Sequence, residues 1–146
     1  MEKTRILAIC IHNSARSQMT EEYLRLFGSD IVEAESAGIE PGTVNPFVVE
    51  LLLEDGIDIS GKQTKSVADL HSKGKSYDYV IAVCDPEAAE ACPIFPSEKK
   101  RIHWPFPDPS RATGTRAEKL DYVRGIRNQI RTSVLQFLDD LRKGTI

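Results

Sequence analysis

The sequence predicts an α/β fold, a three-layer sandwich with a four-stranded parallel sheet flanked by helices. Three observations carry that prediction. Short apolar runs such as Ile6-Leu7-Ala8-Ile9 and Val80-Ile81-Ala82-Val83 alternate with stretches of helical apolar spacing. Gly and Pro punctuate the changes of period. The residues best suited to chemistry, Cys10, Cys84 and the loop around Asp108, each follow a predicted strand. Ligand-binding groups of open parallel sheets collect at that carboxyl edge.

Residues 4–11 form an almost unbroken apolar run, the pattern of a strand buried on both faces. Residues 17–27 read as a helix with Met19, Tyr23, Leu24 and Phe27 inward, stopped at Gly28. Residues 31–37 are a second strand, followed by turn signals at Gly38 and Pro41-Gly42. Asn45-Pro46 opens the next helix, with proline at its first position; Phe47, Val48, Leu51 and Leu52 make its core face, and Asp55-Gly56 ends it. Residues 66–73 are a short helix, 77–83 the third strand and 101–104 a short fourth. From 115 to 143, Leu120, Val123, Ile126, Ile130, Val134, Phe137 and Leu141 recur at three- and four-residue spacing, the core stripe of a long helix. Right-handed crossovers between parallel strands put helices on both faces.

The chain has 146 residues, the size of a single domain spanning 1–146. A net charge of −3 speaks against nucleic acid as a partner. No apolar stretch approaches the roughly 20 residues of a membrane helix, and Met1-Glu2-Lys3-Thr4-Arg5 is no signal peptide. The expectation is a cytoplasmic monomer with no membrane partner. Three cysteines in a reducing compartment suggest chemistry rather than a disulfide framework.

Cys10-Ile11-His12-Asn13-Ser14-Ala15-Arg16-Ser17 is the most informative stretch, a cysteine and an arginine with five residues between them. A strand delivers the cysteine, a tight loop turns, and a helix leaves. Successive loop amides and the positive end of the helix dipole make a cradle for a tetrahedral oxyanion. The same field favours the thiolate of Cys10, the nucleophilic form. Arg16 supplies a planar fork for two oxygens of the anion. The Ser17 hydroxyl is placed to donate to the thiolate, Asn13 to adopt a left-handed backbone and brace the loop, and His12 to point outward.

Cys84 and Cys92 are separated by seven residues, and their disulfide needs the intervening segment to bend. Three readings stand. Both thiols are inert packing groups, or they belong to a zinc site, although the spacing matches no common zinc pattern and His71 and His103 are not grouped with it. In the third they form a redox relay with Cys10, which gives every cysteine a role. In His103-Trp104-Pro105-Phe106-Pro107-Asp108-Pro109-Ser110, prolines hold Asp108 in a fixed direction, suited to a general acid. Trp104 and Phe106 read as packing residues.

These residues, together with Ser36-Ala37-Gly38, Gly56-Ile57-Asp58-Ile59-Ser60 and Cys92-Pro93, resemble the low-molecular-weight tyrosine phosphatase superfamily. Within it they resemble the thioredoxin-coupled arsenate reductases. The resemblance implies reduction of arsenate to arsenite. Cys10, held with its substrate by Arg16 and the loop 11–16, attacks arsenate, and Asp108 protonates the leaving oxygen. Cys84 then attacks Cys10, Cys92 attacks Cys84, and thioredoxin reduces the Cys84–Cys92 disulfide. No cofactor is implied. Ser110 stands where the phosphatases tend to carry a tyrosine, and the spacing of Cys84 and Cys92 is one residue longer than in the best-known reductases. Ile11-His12 and Ala15 depart from the reductases' usual Thr-Gly and Cys. Some members hold potassium behind the loop; Asn13, Glu21 and Ser36 match, but the aspartate position falls near Lys65 or Ser66, so any such site is weak. Two other functions fit the residues: phosphoester hydrolysis by Cys10, Arg16 and Asp108, or a non-catalytic oxyanion-binding or redox-sensing module.

Overall fold

Ile6, Leu7, Ala8 and Ile9 have no exposed surface, which a central strand covered on both faces explains. The computed structural model describes residues 3–84 and 90–146. In chain order the elements are β1 (Thr4–Cys10), α1 (Arg16–Gly28), β2 (Val32–Gly38), α2 (Pro46–Glu54), α3 (Val67–Ser72), β3 (Tyr79–Ala82), β4 (Lys100–His103), a 3-10 turn (Pro109–Arg111) and α4 (Arg116–Lys143). The four strands lie in the order β2-β1-β3-β4, all parallel. The expected α/β architecture is therefore observed, with most element ends within a residue or two of those the sequence predicts. The third strand is shorter, Tyr79–Ala82 rather than 77–83. Tyr77 leaves the ladder because its N–H bonds the carbonyl of Pro96 (3.1 Å).

Strand alternation divides the core between the two faces. Ile6, Cys10, Tyr79 and Ile81 join the layer built by α1, α2 and α4. Leu7, Ile9, Val80 and Ala82 join Val67, Leu70, Tyr77 and Phe95 on the other face. Gly28, expected only as a helix stop, has a packing role as well: a Cβ there would lie 2.6 Å from Cδ2 of Leu138 on α4. Among the described residues no helix is long and apolar enough to cross a membrane.

The helix starts differ in a way that matters for the site. Asn45 caps α2 by accepting from Phe47 N (2.8 Å), Ser66 caps α3, and Thr115 and Glu118 form a capping box on α4. α1 has Ala15 at its N-cap and no side-chain cap. Its first amides are thus left to the loop that precedes it, and that loop carries Cys10.

Candidate active site

The loop between β1 and α1 is held by its carbonyls. Cys10 O accepts from Ile39 N (3.1 Å), Ile11 O from Glu40 N (2.7 Å), His12 O from Gly42 N (2.9 Å) and Ser14 O from Asn45 N (2.8 Å). Asn13 O accepts from Gln18 Nε2 (2.9 Å), and Ala15 O from Met19 N (3.0 Å). Six successive carbonyls are engaged away from the loop's centre. A trans peptide puts its N–H opposite its C=O, so this arrangement turns the loop amides inward. The result is an anion nest closed by the uncapped start of α1.

Asn13 makes the loop possible. Its φ of 54° is the left-handed conformation that asparagine tolerates. It has no exposed surface. Its side chain accepts from Lys65 N (2.9 Å) and Gln18 Nε2 (3.1 Å) and donates to Ser17 Oγ (2.8 Å). Ser17 Oγ lies 2.9 Å from Cys10 Sγ. Because the hydroxyl oxygen already accepts from Asn13, its proton is free to point at the sulfur. Asn13 N also donates to Cys10 Sγ (3.1 Å). Two donors thus converge on one sulfur and hold it at the mouth of the loop. Gln18, buried and central to this network, belongs to the Cys10–Met19 motif, but the sequence assigns it no role; its signal is a polar residue on the inward face of α1. His12 lies outward as expected, exposed, with Nδ1 donating to Glu40 O (2.9 Å).

Gly38 at the end of β2 is fixed by proximity. A Cβ there would lie 2.7 Å from Ile11 O and 2.8 Å from Asn13 N, both backbone atoms. Gly38→Ala must therefore push the anion loop. We expect at least about tenfold weaker binding of inorganic phosphate, with secondary structure retained, measured by calorimetric titration and circular dichroism.

Arg16 Nη1 donates to the carbonyl of Phe106 (3.0 Å), tying the anion loop to the loop that carries Asp108. Asp108 Oδ1 accepts from Ser110 N (2.9 Å) and Ser110 Oγ (2.8 Å). Partial burial pushes the carboxyl up, but the Ser110 hydrogen bonds and the charges of Arg16 and Arg111 outweigh it and hold Asp108 below the usual carboxylate range. Ser110 is thus the group that orients Asp108. Trp104 and Phe106 pack edge to face (5.9 Å), and Trp104 meets Phe137 of α4 (6.0 Å), as expected of packing residues.

Behind the loop, Ser36 Oγ donates to Glu21 Oε1 (2.6 Å). Glu21, with no exposed surface, pairs with the Lys62 ammonium and with Arg25 Nη1 (3.0 Å). Lys65 Nζ stands 3.9 Å away. The buried carboxylate thus already has cationic partners, and Asn13 Oδ1 its donors. Among the described residues no group of three or more His, Cys, Asp or Glu side chains is arranged to hold a metal ion.

All three cysteines are buried. Cys84 follows β3, beside β1, and packs in the same core layer as Cys10. Its Sγ lies 3.8 Å from the carbonyl of Ile9, the residue before Cys10. Cys92 does not join them: it packs with Leu7, Ile9, Val80 and Ala82 on the opposite face of the sheet. Burial pushes its thiol up to about 11, against the pull of the Arg101 charge. Residues 85–89, between the two cysteines, lie outside the described residues.

Comparison with known proteins agrees with this geometry. The family model described as low molecular weight phosphotyrosine protein phosphatase matches residues 5–145. An arsenate reductase of Halalkalibacterium halodurans is 40% identical over 139 residues, covering 95% of this chain and 98% of its own. One of Bacillus subtilis is 38% identical with the same coverage. Among solved structures, an arsenate reductase in the phosphate binding state is similar with a TM-score of 0.74 and 25% identity, over 94% of this chain and 98% of that one. A thioredoxin-dependent arsenate reductase of Corynebacterium glutamicum gives a TM-score of 0.60 and 27% identity, over 92% of this chain and 63% of that one. With nearly its whole length matched, this chain belongs to the low molecular weight phosphotyrosine protein phosphatase family.

Proposed function

We propose that this protein reduces arsenate to arsenite through Cys10, Cys84 and Cys92, and that thioredoxin in the cytoplasm returns the electrons. The observation that carries the reading is the position of Cys84, buried in the same layer as Cys10 at the same edge of the sheet. A phosphatase needs only the first thiol, whereas a second one beside it can take the sulfur of an arsenylated cysteine. The relatives named arsenate reductase, similar over nearly their whole length, support the same reading.

The Cys10 thiolate attacks arsenic, forming an S–As bond as an oxygen leaves. Arg16 and the loop amides hold the remaining oxygens where negative charge collects. With the site empty, the Ser110 hydrogen bonds and the Arg16 and Arg111 charges favour the ionised form of Asp108 over partial burial. An arriving dianion raises its proton affinity by like-charge repulsion, so the carboxyl takes up a proton and delivers it to the departing oxygen. Cys84 Sγ then attacks Cys10 Sγ. The S–S bond forms, the S–As bond breaks, and its electron pair leaves with arsenic as arsenite. Cys92 attacks Cys84, restoring the Cys10 thiolate, and the dithiol of thioredoxin reduces the Cys84–Cys92 bond. Phosphorus(V) is not reduced this way, so phosphoester hydrolysis by Cys10, Arg16 and Asp108 is a slow side activity.

The test is NADPH consumption with thioredoxin, thioredoxin reductase and arsenate, beside p-nitrophenyl phosphate hydrolysis. Arsenate-dependent consumption that requires thioredoxin is expected. Hydrolysis without it would overturn the reading in favour of a phosphatase, and consumption restored only by glutaredoxin and glutathione would replace thioredoxin as donor.

A further inference from the structure

Two residues of β4 hold the two ends of the segment that joins Cys84 to Cys92. His103 Nε2 donates to the carbonyl of Cys84. Arg101 Nη1 donates to the carbonyl of Cys92 (3.0 Å), and Nη2 to that of Pro93. The guanidinium is itself braced: Glu98 pairs with its Nε and accepts from Nη2 (3.2 Å). Glu98 Oε2 also accepts from Phe95 N (3.0 Å). Phe95 is buried and set edge-on against Tyr77 (5.1 Å) and His71 (5.5 Å). β4 pairs with β3 through Val80↔Arg101 and Ala82↔His103. The two anchors therefore stand on one ladder-bonded strand, about 7 Å apart along it.

We propose that Arg101 and His103 are positioning residues of the thiol relay. They form a two-point clamp in which His103 holds Cys84 for its attack on Cys10, and Arg101, braced by Glu98, holds Cys92 for its attack on Cys84. This rests on the relay reading above. The geometry shows main-chain carbonyls gripped at both ends, and Arg101 reaches the side chain of Cys92 as well. Cys84 and Cys92 lie on opposite faces of the sheet, so the segment between them must still move, and fixed ends lower the entropic cost of that movement. In the second step Cys92 loses its proton to solvent, its Sγ bonds Cys84 Sγ, the Cys10–Cys84 bond breaks and Cys10 leaves as thiolate. Among the described residues the charged groups facing Cys92 are Arg101 from β4 and Glu98 from the loop before it. Arg101 therefore also favours the thiolate that this step requires, while Glu98 opposes it.

The two anchors act on different steps, and the experiment separates them. Reduced protein is mixed with arsenate without a reductant and quenched by alkylation at successive times. Released arsenite is assayed, and peptide mass mapping assigns Cys10–Cys84 and Cys84–Cys92 disulfides. Arg101→Gln is expected to release arsenite at the wild-type rate, then accumulate the Cys10–Cys84 disulfide with its conversion slowed about tenfold or more. The pH midpoint of that conversion should move upward, since thiolate formation has lost its cation. Arg101→Lys should restore the midpoint but not the rate, because lysine brings the charge without the fork. His103→Ala should slow arsenite release about tenfold, and His103→Gln, whose amide can donate to the same carbonyl, should recover most of it. p-Nitrophenyl phosphate hydrolysis, measured on each variant, reports an intact anion loop and fold. The clamp is overturned if hydrolysis is retained while both variants leave both steps unchanged or slow both alike. Wild-type protein that releases no arsenite, or never forms the Cys84–Cys92 bond, overturns the relay reading itself.

Discussion

Cys84→Ser is expected to abolish arsenate reduction, by more than roughly a thousandfold, because a hydroxyl neither attacks a thiol-arsenate adduct nor forms a disulfide. Hydrolysis of p-nitrophenyl phosphate should stay within about twofold of wild type, since the groups acting in the phosphoryl transition state are untouched. The substitution is structurally mild. Cys84 is only 2% exposed, but serine is close to it in shape, and the carbonyl of Ile9 lies on the Sγ side to accept the new hydroxyl proton. The variant should therefore fold and separate the two activities cleanly. Parallel loss of hydrolysis would mean that Cys84 supports the anion loop rather than the electron path. Single-turnover arsenite release, measured beside steady-state hydrolysis, reads both quantities from one preparation.

Arg16→Lys is expected to reduce both activities together, by about a hundred- to a thousandfold. Lysine keeps the charge but loses the fork that grips two oxygens at once. It also loses the bond from Nη1 to the carbonyl of Phe106, so Asp108 loses a fixed relation to the cradle. The signature differs from that of Cys84→Ser: affinity for inorganic phosphate should fall along with turnover, and the ratio of the two activities should stay near its wild-type value. Phosphate competition against p-nitrophenyl phosphate measures the first, and paired assays the second.

Much of this was legible because the sequence repeats itself at the right periods. The run through Ile9 announces a central strand, the stripe from Leu120 to Leu141 a long helix, and Pro46 a helix start. Cys10 and Arg16 were legible because strand, loop and helix N-terminus follow one another without interruption, so local order implies local geometry. What the sequence did not disclose rests on contacts between distant residues. That Gly38 lies under the loop's backbone depends on β2 pairing with β1 to its last residue, Cys10↔Gly38. In sequence Ser110 reads as the absence of an aromatic residue, whereas its structural work is to orient Asp108. Arg101 and His103 look like ordinary polar residues of a short edge strand; only the fold carries them to the ends of the cysteine segment. Lys62 gives no hint in sequence that its ammonium meets Glu21, 41 positions away. Cys92 packs with Leu7 and Ile9, which the alternation of strand faces sends to the side of the sheet away from Cys10.

The separation of Cys84 and Cys92 by the sheet has a consequence for wiring. Cys84 and Cys92 side by side would be a short circuit: in the proposed relay, a stray oxidant joining them takes Cys84 out of use with no arsenate consumed. With the sheet between them, the outer pair stays open in the resting protein. Under the proposed relay, current reaches Cys92 only after the inner pair has closed, and arsenate is then the key to the switch.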